Sequence, residues 1–406
     1  MDMSRRRVVI IGHGYTSRLA LIRSLGKAGY EVYVILMVYH GRIGRFMRFE
    51  GGRPVDCFSK YVDRFFYCGA RDEVQLLHLL LEKCSVPNQR VIIFPDSDFS
   101  ACFVDSHKEA LEGSFLFPGI LGNDKSVSYW MMKSVQKSLA VKCGLSVAKG
   151  EVVSIRGGEF TISDTVTYPC FTKPLATVNG GKQYLKKCSS REQLCSLLSS
   201  VAVNGDADVL VEDFRQIEKE FAVVGISTGK EVIIPGVIEF ISNSQSHFGI
   251  AREGLIKPLT GFEEIIRKFQ QYVEEMGFVG LFDIDFYQSE SLLYFGEMNL
   301  RYGGSGYAYT AMGVNLPLLM ARSLCGEDIS ELKQTIDGTA SYINERMCLD
   351  DWDFHYLTTS QYKSVINDAQ IRFIEDKDDK GPQRRFNSYF RLHGIKRFIR
   401  GILQRR

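Results

Sequence analysis

The stretch YFGEMNLRYGGSGYA, residues 294–308, carries polar groups at three alternate positions, Glu297, Asn299 and Arg301, and runs at once into a glycine-rich turn. Strand side chains alternate between two faces, so a carboxylate, an amide and a guanidinium here point the same way. Just upstream, GLFDIDFYQ at 280–288 puts Asp283 and Asp285 on one face of a second apolar strand, and the polar SES that follows suits a hairpin turn. If the two strands pair, their carboxylates converge. Hard oxygen ligands of this kind suit Mg²⁺, which takes one or two carboxylates plus substrate phosphates rather than a full protein cage. Arg301, always charged, then lies within reach of those phosphates. Both strands are otherwise strongly apolar, which argues against a merely solvated charged face.

Further upstream, RRVVIIGHGYTSRLALIRSLGKAGYEVYVI at 6–35 reads as strand (7–11), glycine turn, helix (Leu19, Ile22, Leu25) and strand (31–36), one βαβ unit with parallel strands. A helix pattern follows at 72–84 and a buried-type strand at 91–94. Pro95-Asp96 ends that strand, leaving Asp96 and Asp98 at its carboxyl end, where open α/β sheets place ligands. Gly12-x-Gly14 resembles the opening of a dinucleotide fingerprint, but Ser17 and Arg18 stand where a third glycine would matter. An NAD-linked oxidoreductase is therefore a competing reading on a weak signal.

Pro118-Gly119 marks a boundary. Beyond it come a helix stopped by Gly144, strand patterns at 166–173, 208–214, 219–227, 231–240, 278–287 and 292–298, and helices near 190–200 and 261–276. Runs of strands with few helices between them predict an α+β region. The expected organisation is an α/β N-terminal domain with a parallel sheet at 1–118, an α+β region at 119–330 and a C-terminal extension at 331–406.

With these residues in view, the chain resembles the ATP-grasp ligases over about residues 5–330. In that family a strand bearing an acid precedes one reading (I/M)-E-(I/M)-N-x-R, and GEMNLR is a close match. The resemblance implies an α+β ATP-grasp domain pair in which Asp283, Asp285, Glu297 and Asn299 hold magnesium, or manganese as an alternative ion, against ATP. It also implies two upstream lysines. Lys133, in MMKSVQKSLAVKCGL, stands about three helical turns before Gly144 as the family requires, with Lys125 in NDKS as a rival. Lys173 in YPCFTKP fits a P-x-(I/V)-x-K-P pattern. Gly180 and Gly181 in the following TVNGGKQ resemble the mobile loop over the ATP phosphates, where backbone N–H groups approach because no Cβ intervenes. DVLVEDF and EKEFAVV complete the set: Glu212, with Asp213 and Phe214, matches the hinge that gives backbone hydrogen bonds to adenine, and Glu220 matches the ribose ligand.

GEMNLRYGGSGYAYTAMGVNLPLL further resembles the carboxylate–amine ligase branch, which includes D-aspartate ligase relatives and cell-surface polysaccharide enzymes. The activity this implies is ATP-dependent amide formation through an acylphosphate, with release of ADP and phosphate, between a small-molecule or glycan carboxylate and an amine. The catalytic candidates are Arg301, Lys173 and Arg252, the last in SHFGIAREGLIKP; Asp96 and Arg18 are candidates for contact with the acid or amine. The alternative is a non-catalytic ATP-binding scaffold or sensor. Homodimers are common in the family.

Bulk composition agrees. A chain of 406 residues that is 45% apolar can bury two to three domains. Fifty basic against forty-eight acidic residues give no footprint for nucleic acid. The ten cysteines form no CxxC pair, and the seven histidines make no metal-spaced cluster with them, as expected of reduced thiols in the cytoplasm. The apolar run at 8–11 is too short for a signal-peptide core. From Lys380 onward there is no acidic residue, and Ile395, Phe398, Ile399, Ile402 and Leu403 form one helical stripe among Lys396, Arg397 and Arg400. Residues 387–406 are thus expected either to lie on the inner membrane surface or to dock on the protein itself.

Overall fold

The computed structural model describes residues 5–13, 16–38, 54–122, 124–175, 184–247 and 249–403, with side chains to residue 391. Its first sheet is parallel: β1 (Arg7–Gly12), β2 (Glu31–Val38), β3 (Val62–Gly69), β4 (Val91–Pro95) and β5 (Phe115–Leu116), in the order β3-β2-β1-β4-β5. Strand order reverses between β1 and β4, so the crevice at their carboxyl ends is the natural ligand position. Val8 and Ile10 face one core with helix Thr16–Lys27, while Val9 and Ile11 face another with helix Asp98–Ser106.

β6 (Gly119–Ile120) joins the chain to the large sheet. A small antiparallel sheet follows, made of β7 (Gly150–Ile155), β8 (Cys170–Pro174), β9 (Lys186–Cys188) and β10 (Ala207–Asp213), ordered β7-β10-β8-β9 and backed by helix Arg191–Ala202. The large sheet holds β11 (Lys219–Ser227), β12 (Val232–Ile233), β13 (Val237–Asn243), β14 (Ala251–Lys257), β15 (Phe278–Ser289), β16 (Leu292–Asn299), β17 (Ala340–Ile343) and β18 (Ile371–Arg372), with the main path β16-β15-β11-β13-β14-β17-β18. Phe221, Val223, Phe282, Ile284 and Phe286 point to one side and bury against helix Glu263–Met276; Ala222, Val224, Ile238 and Ile256 point to the other and share a core with the first domain. An α/β parallel sheet leads into an α+β region, as expected from the sequence.

The segment after residue 330 is woven into both neighbours. β17 and β18 extend the large sheet, and Arg23 of the first helix, fully buried, donates to Asp379 at 3.0 Å and to the Phe373 and Ile374 carbonyls. Helix Lys380–Leu403 buries Phe386 and Tyr389 with Trp352 and Tyr362. The basic stripe at 395–403 lies beyond the described side chains. Among the described residues no helix is long and apolar enough to cross a membrane.

Candidate active site

β15 and β16 form the hairpin read from the sequence. Glu290 and Ser291, both left-handed (φ 52° and 64°), make its two-residue turn. Asp283 is the Cα partner of Asn299, and Asp285 that of Glu297. Just beyond the Asp285–Glu297 pair the register slips by one residue at Gly296, where a Cβ would stand 2.8 Å from the Asp285 carbonyl oxygen. The register is unbroken from Asp283–Asn299 to Asp285–Glu297, so all four polar side chains share one face.

Helix Lys133–Lys142 closes one side. Gln136 locks it to β16 by a two-point bond: its amide donates to the Met298 carbonyl at 2.7 Å and its carbonyl accepts from the Met298 N–H at 2.9 Å. That lock seats the Lys133 ammonium on the Glu297 carboxylate. Lys125 lies apart, half-exposed beside Asp124 and over the Tyr129 ring. From the small sheet, Lys173 contacts Glu212 at 2.9 Å, and Lys137 reaches the same carboxylate from the helix. Arg301 donates to Asp98 at 3.1 Å and lies 3.9 Å from Asp283, joining the first domain to the hairpin. A narrow crevice is lined by Asp98, Met131, Lys133, Gln136, Glu297 and Asn299.

The electrostatics separate these acids. Burial pushes Asp283 up to about 6, with Glu297 and Asp98 adding to it against the pull of Arg301. Asp285 is raised as well, by burial and then by Asp283 and Glu297. Glu297 and Glu212 are pushed the same way by burial, but Lys133 in one case and Lys173 with Lys137 in the other override it and hold both below the ordinary carboxylate range. A close acidic pair with raised affinity for positive charge is what a cation site looks like before it is filled. Asp283 Oδ1 is buried without a hydrogen-bond partner, and a Cβ on Gly303 would overlap the other carboxylate oxygen, so that glycine leaves Asp283 its room. Among the described residues no three His, Cys, Asp or Glu side chains form a protein-only metal cage. Magnesium needs none: two carboxylates, phosphate oxygens and water complete its shell, and the donor set fits.

Other candidates fall as follows. Glu220 accepts from Asn243 on the same face, opposite Tyr287, whose ring stacks on Tyr294 at 5.5 Å. At the hinge, the N–H groups of Asp213 and Phe214 donate to the Lys149 and Pro169 carbonyls at 2.8 and 3.0 Å. Arg252 stands in an ion-pair network of its own. Its guanidinium is committed to Glu253 at 2.9 Å and to Asp351 at 3.0 Å, and its side chain is 13% exposed. Asp351 further accepts from Ser244, Gln245 and Ser246, so Asp351, held by Arg252, fastens residues 244–246 to helix Glu345–Asp353. Arg18 and Asp96 are buried, and Arg18 pairs with both Asp96 and Asp56. The Asp96 carboxylate fills the space over Gly12 where a dinucleotide fingerprint would need open backbone. Gly14, Gly180 and Gly181 lie outside the described residues.

No protein-family profile matches the chain. It aligns over 187 residues, at 23% identity, with the carbamoyl phosphate synthase large chain of Methanothrix thermoacetophila; that stretch covers 45% of this chain and only 17% of the relative. Solved structures match far more of it. N5-carboxyaminoimidazole synthetase from Staphylococcus aureus superposes with a TM-score of 0.62 over 86% of this chain and 85% of that one, at 15% identity. The L-amino acid ligase of Bacillus licheniformis gives 0.61, covering 83% and 80% at 16% identity. The biotin carboxylase domain dimer of Hydrogenobacter thermophilus 2-oxoglutarate carboxylase, solved with MgADP, ADP and bicarbonate, gives 0.62 over 83% and 73% at 17% identity.

The chain has the ATP-grasp fold. Lys173 and Glu212 come from the small sheet and the paired acids from the large one. Sequence reasoning passed over two groups in this ATP-grasp fold, Lys137 and Gln136. Lys137 follows Lys133 by one helical turn, a spacing that places both on one face. Gln136 sits on the buried side of the same helix. Asp98 was visible at the strand end, but its bond to Arg301 crosses 203 residues, and no local pattern reveals such a contact.

Proposed function

We propose that this protein is an ATP-dependent carboxylate–amine ligase. The observation that carries the reading is the cross-hairpin register, Asp283 with Asn299 and Asp285 with Glu297, under Lys133 and Arg301. In the proposed reaction a substrate carboxylate oxygen attacks the γ-phosphorus of ATP, the bond to the β–γ bridging oxygen breaks, and ADP leaves. An amine then attacks the acyl carbon of the acylphosphate, loses a proton and expels inorganic phosphate, forming an amide.

No side-chain nucleophile is needed; the difficulty is aligning two anions, which calls for charge neutralisation and positioning. Asp283, Asp285, Glu297 and Asn299 would hold Mg²⁺, with Mn²⁺ as an alternative, and the metal supplies Lewis-acid neutralisation of the phosphates. Lys133, Lys173 and Arg301 would take phosphate oxygens, Gly180 and Gly181 of TVNGGKQ would add phosphate contacts, and Glu220 would take the ribose. The hinge around Glu212–Phe214 would border the base, with Tyr287 beside it. Arg252 enters this proposal as a fastening residue. The proposal includes the three-part division at 118 and 330, membership of the D-aspartate ligase-like branch, a small-molecule or glycan carboxylate with an amine as substrates, a homodimer and peripheral membrane contact through 387–406.

The test is incubation with ATP, Mg²⁺ and pools of acids and amines, scoring ADP release and new amide mass. Asp283→Ala with Glu297→Ala should abolish Mg²⁺-dependent ADP release; turnover that survives this pair sinks the assignment. Tight ATP binding without turnover on any pool favours a scaffold.

A further inference from the structure

Helix Lys133–Lys142 sends two cations into the cleft. The second, Lys137, places its ammonium against Glu212 and also donates to the Ala148 carbonyl at 2.7 Å. Glu212, 4% exposed, is thus clasped between Lys137 and Lys173. The two lysines are not equivalent. Lys137 is anchored by a backbone carbonyl and its side chain is 13% exposed; Lys173, near the end of β8, is the more accessible at 26%.

We propose that Lys137 is a positioning residue, the resident counter-ion of Glu212, whose presence there releases Lys173 to bind nucleotide phosphate. This rests on the nucleotide-site reading above. Before nucleotide arrives, each cation aimed at the cleft is engaged by a carboxylate: Lys133 by Glu297, Arg301 by Asp98 and Lys173 by Glu212. A polyphosphate has to win these cations. Glu297 gains a divalent ion in exchange for Lys133. Glu212, on the small sheet, gains nothing, and leaving a buried carboxylate without its cation is strongly unfavourable. With Lys137 in place Glu212 keeps a partner whether or not Lys173 moves. Burial drags the Lys137 ammonium below its ordinary value and Glu212 opposes the drag, the mutual dependence expected of a fixed buried pair.

The test uses the full chain and calorimetric binding of ADP and of adenosine, with no acceptor substrate. In Lys137→Met, Glu212 holds Lys173 as its remaining partner, so ADP affinity should fall about 10- to 100-fold, the range for loss of one charge-assisted contact. Adenosine, which has no phosphate, should bind as in the wild type. Adding Glu212→Gln should free Lys173 and raise ADP affinity from that of Lys137→Met to that of Glu212→Gln alone. Lys137→Arg should bind ADP like the wild type. Should Lys137→Met fail to fold, Glu212→Gln compared with Glu212→Gln/Lys137→Met carries the test, since without Glu212 the loss of Lys137 should leave ADP affinity unchanged. Equal ADP affinity in wild type and Lys137→Met overturns the inference, and so does a parallel loss of ADP and adenosine, which marks a structural role. A wild type that binds neither ligand instead overturns the nucleotide-site reading on which it rests.

Discussion

Asp285 and Glu297 are Cα partners on adjacent antiparallel strands and present their carboxyl groups on the same face. Like charges so placed repel by about 0.2–1 kcal/mol, and a divalent ion between them turns that repulsion into binding. Asp285→Asn is therefore expected to raise the thermal midpoint of the metal-free protein slightly and to erase the further rise given by Mg²⁺ with ADP. An undiminished Mg²⁺·ADP shift in the variant would remove Asp285 from the metal set.

Gly303 gives a second handle on the same site. A Cβ there would overlap the Asp283 carboxylate, so Gly303→Ala should move the acid and lower the Mg²⁺ response of ADP release about tenfold or more, as expected of a shift near 1 Å in a reacting array. Far-ultraviolet circular dichroism should be unchanged. Wild-type Mg²⁺ dependence in this variant would mean that Asp283 needs no such room.

Arg23 and Asp379 are each fully buried and bonded to one another. Losing one partner of such a pair costs about 3–5 kcal/mol. Arg23→Met should lower the urea midpoint by a matching amount and expose the segment after residue 370 to trypsin well before the rest of the chain. Uniform digestion of wild type and variant would show that this bond does not hold the segment down.

Asp351 gives a prediction in pH. Burial alone would raise its pKa, but the Ser246 hydroxyl and N–H, then Ser244 and Gln245, override burial and hold it below 3.8. The folded state thus favours the ionised form, a stabilisation fully present above the ordinary value and lost as pH falls below it. Asp351→Asn should cost about 3 kcal/mol at pH 7, with its deficit shrinking towards pH 2, while nucleotide affinity stays level. Urea titrations at several pH values measure this; a constant deficit would contradict the sign.

What the sequence disclosed follows from how local each signal is. The βαβ start and the 278–299 hairpin were legible because strict periodicity and buried apolar runs coincide there. Helix 127–142 reads as one element but breaks at Met131–Met132, since Met132 turns extended (ψ 123°) and the Lys133 N–H bonds to the Leu175 carbonyl. Pro235-Gly236 likewise splits the expected strand at 231–240 into β12 and β13. β3 went unseen because its face is half-exposed and does not alternate. β14, AREGLIK, looks like a loop; its Gly254 is required because the Tyr342 ring of β17 lies over it, a contact made across 88 residues. The site divides in the same way. Residues set by alternation along one strand were readable, whereas the Lys137–Glu212 clasp and the fastening of Arg252 depend on partners that only folding brings near.

The bond from Asp98 to Arg301 has a consequence for how this architecture can be divided. The guanidinium nearest the paired acids takes its orientation from a carboxylate at the start of a helix on the parallel-sheet module. Cut away from that module, Arg301 would be left with Asp283 as its nearest anion and could collapse onto it, competing with the metal for the same oxygen. The hairpin and the N-terminal sheet thus form one inheritable unit, and any chimera that swaps one without the other must bring its own acid to stand where Asp98 does.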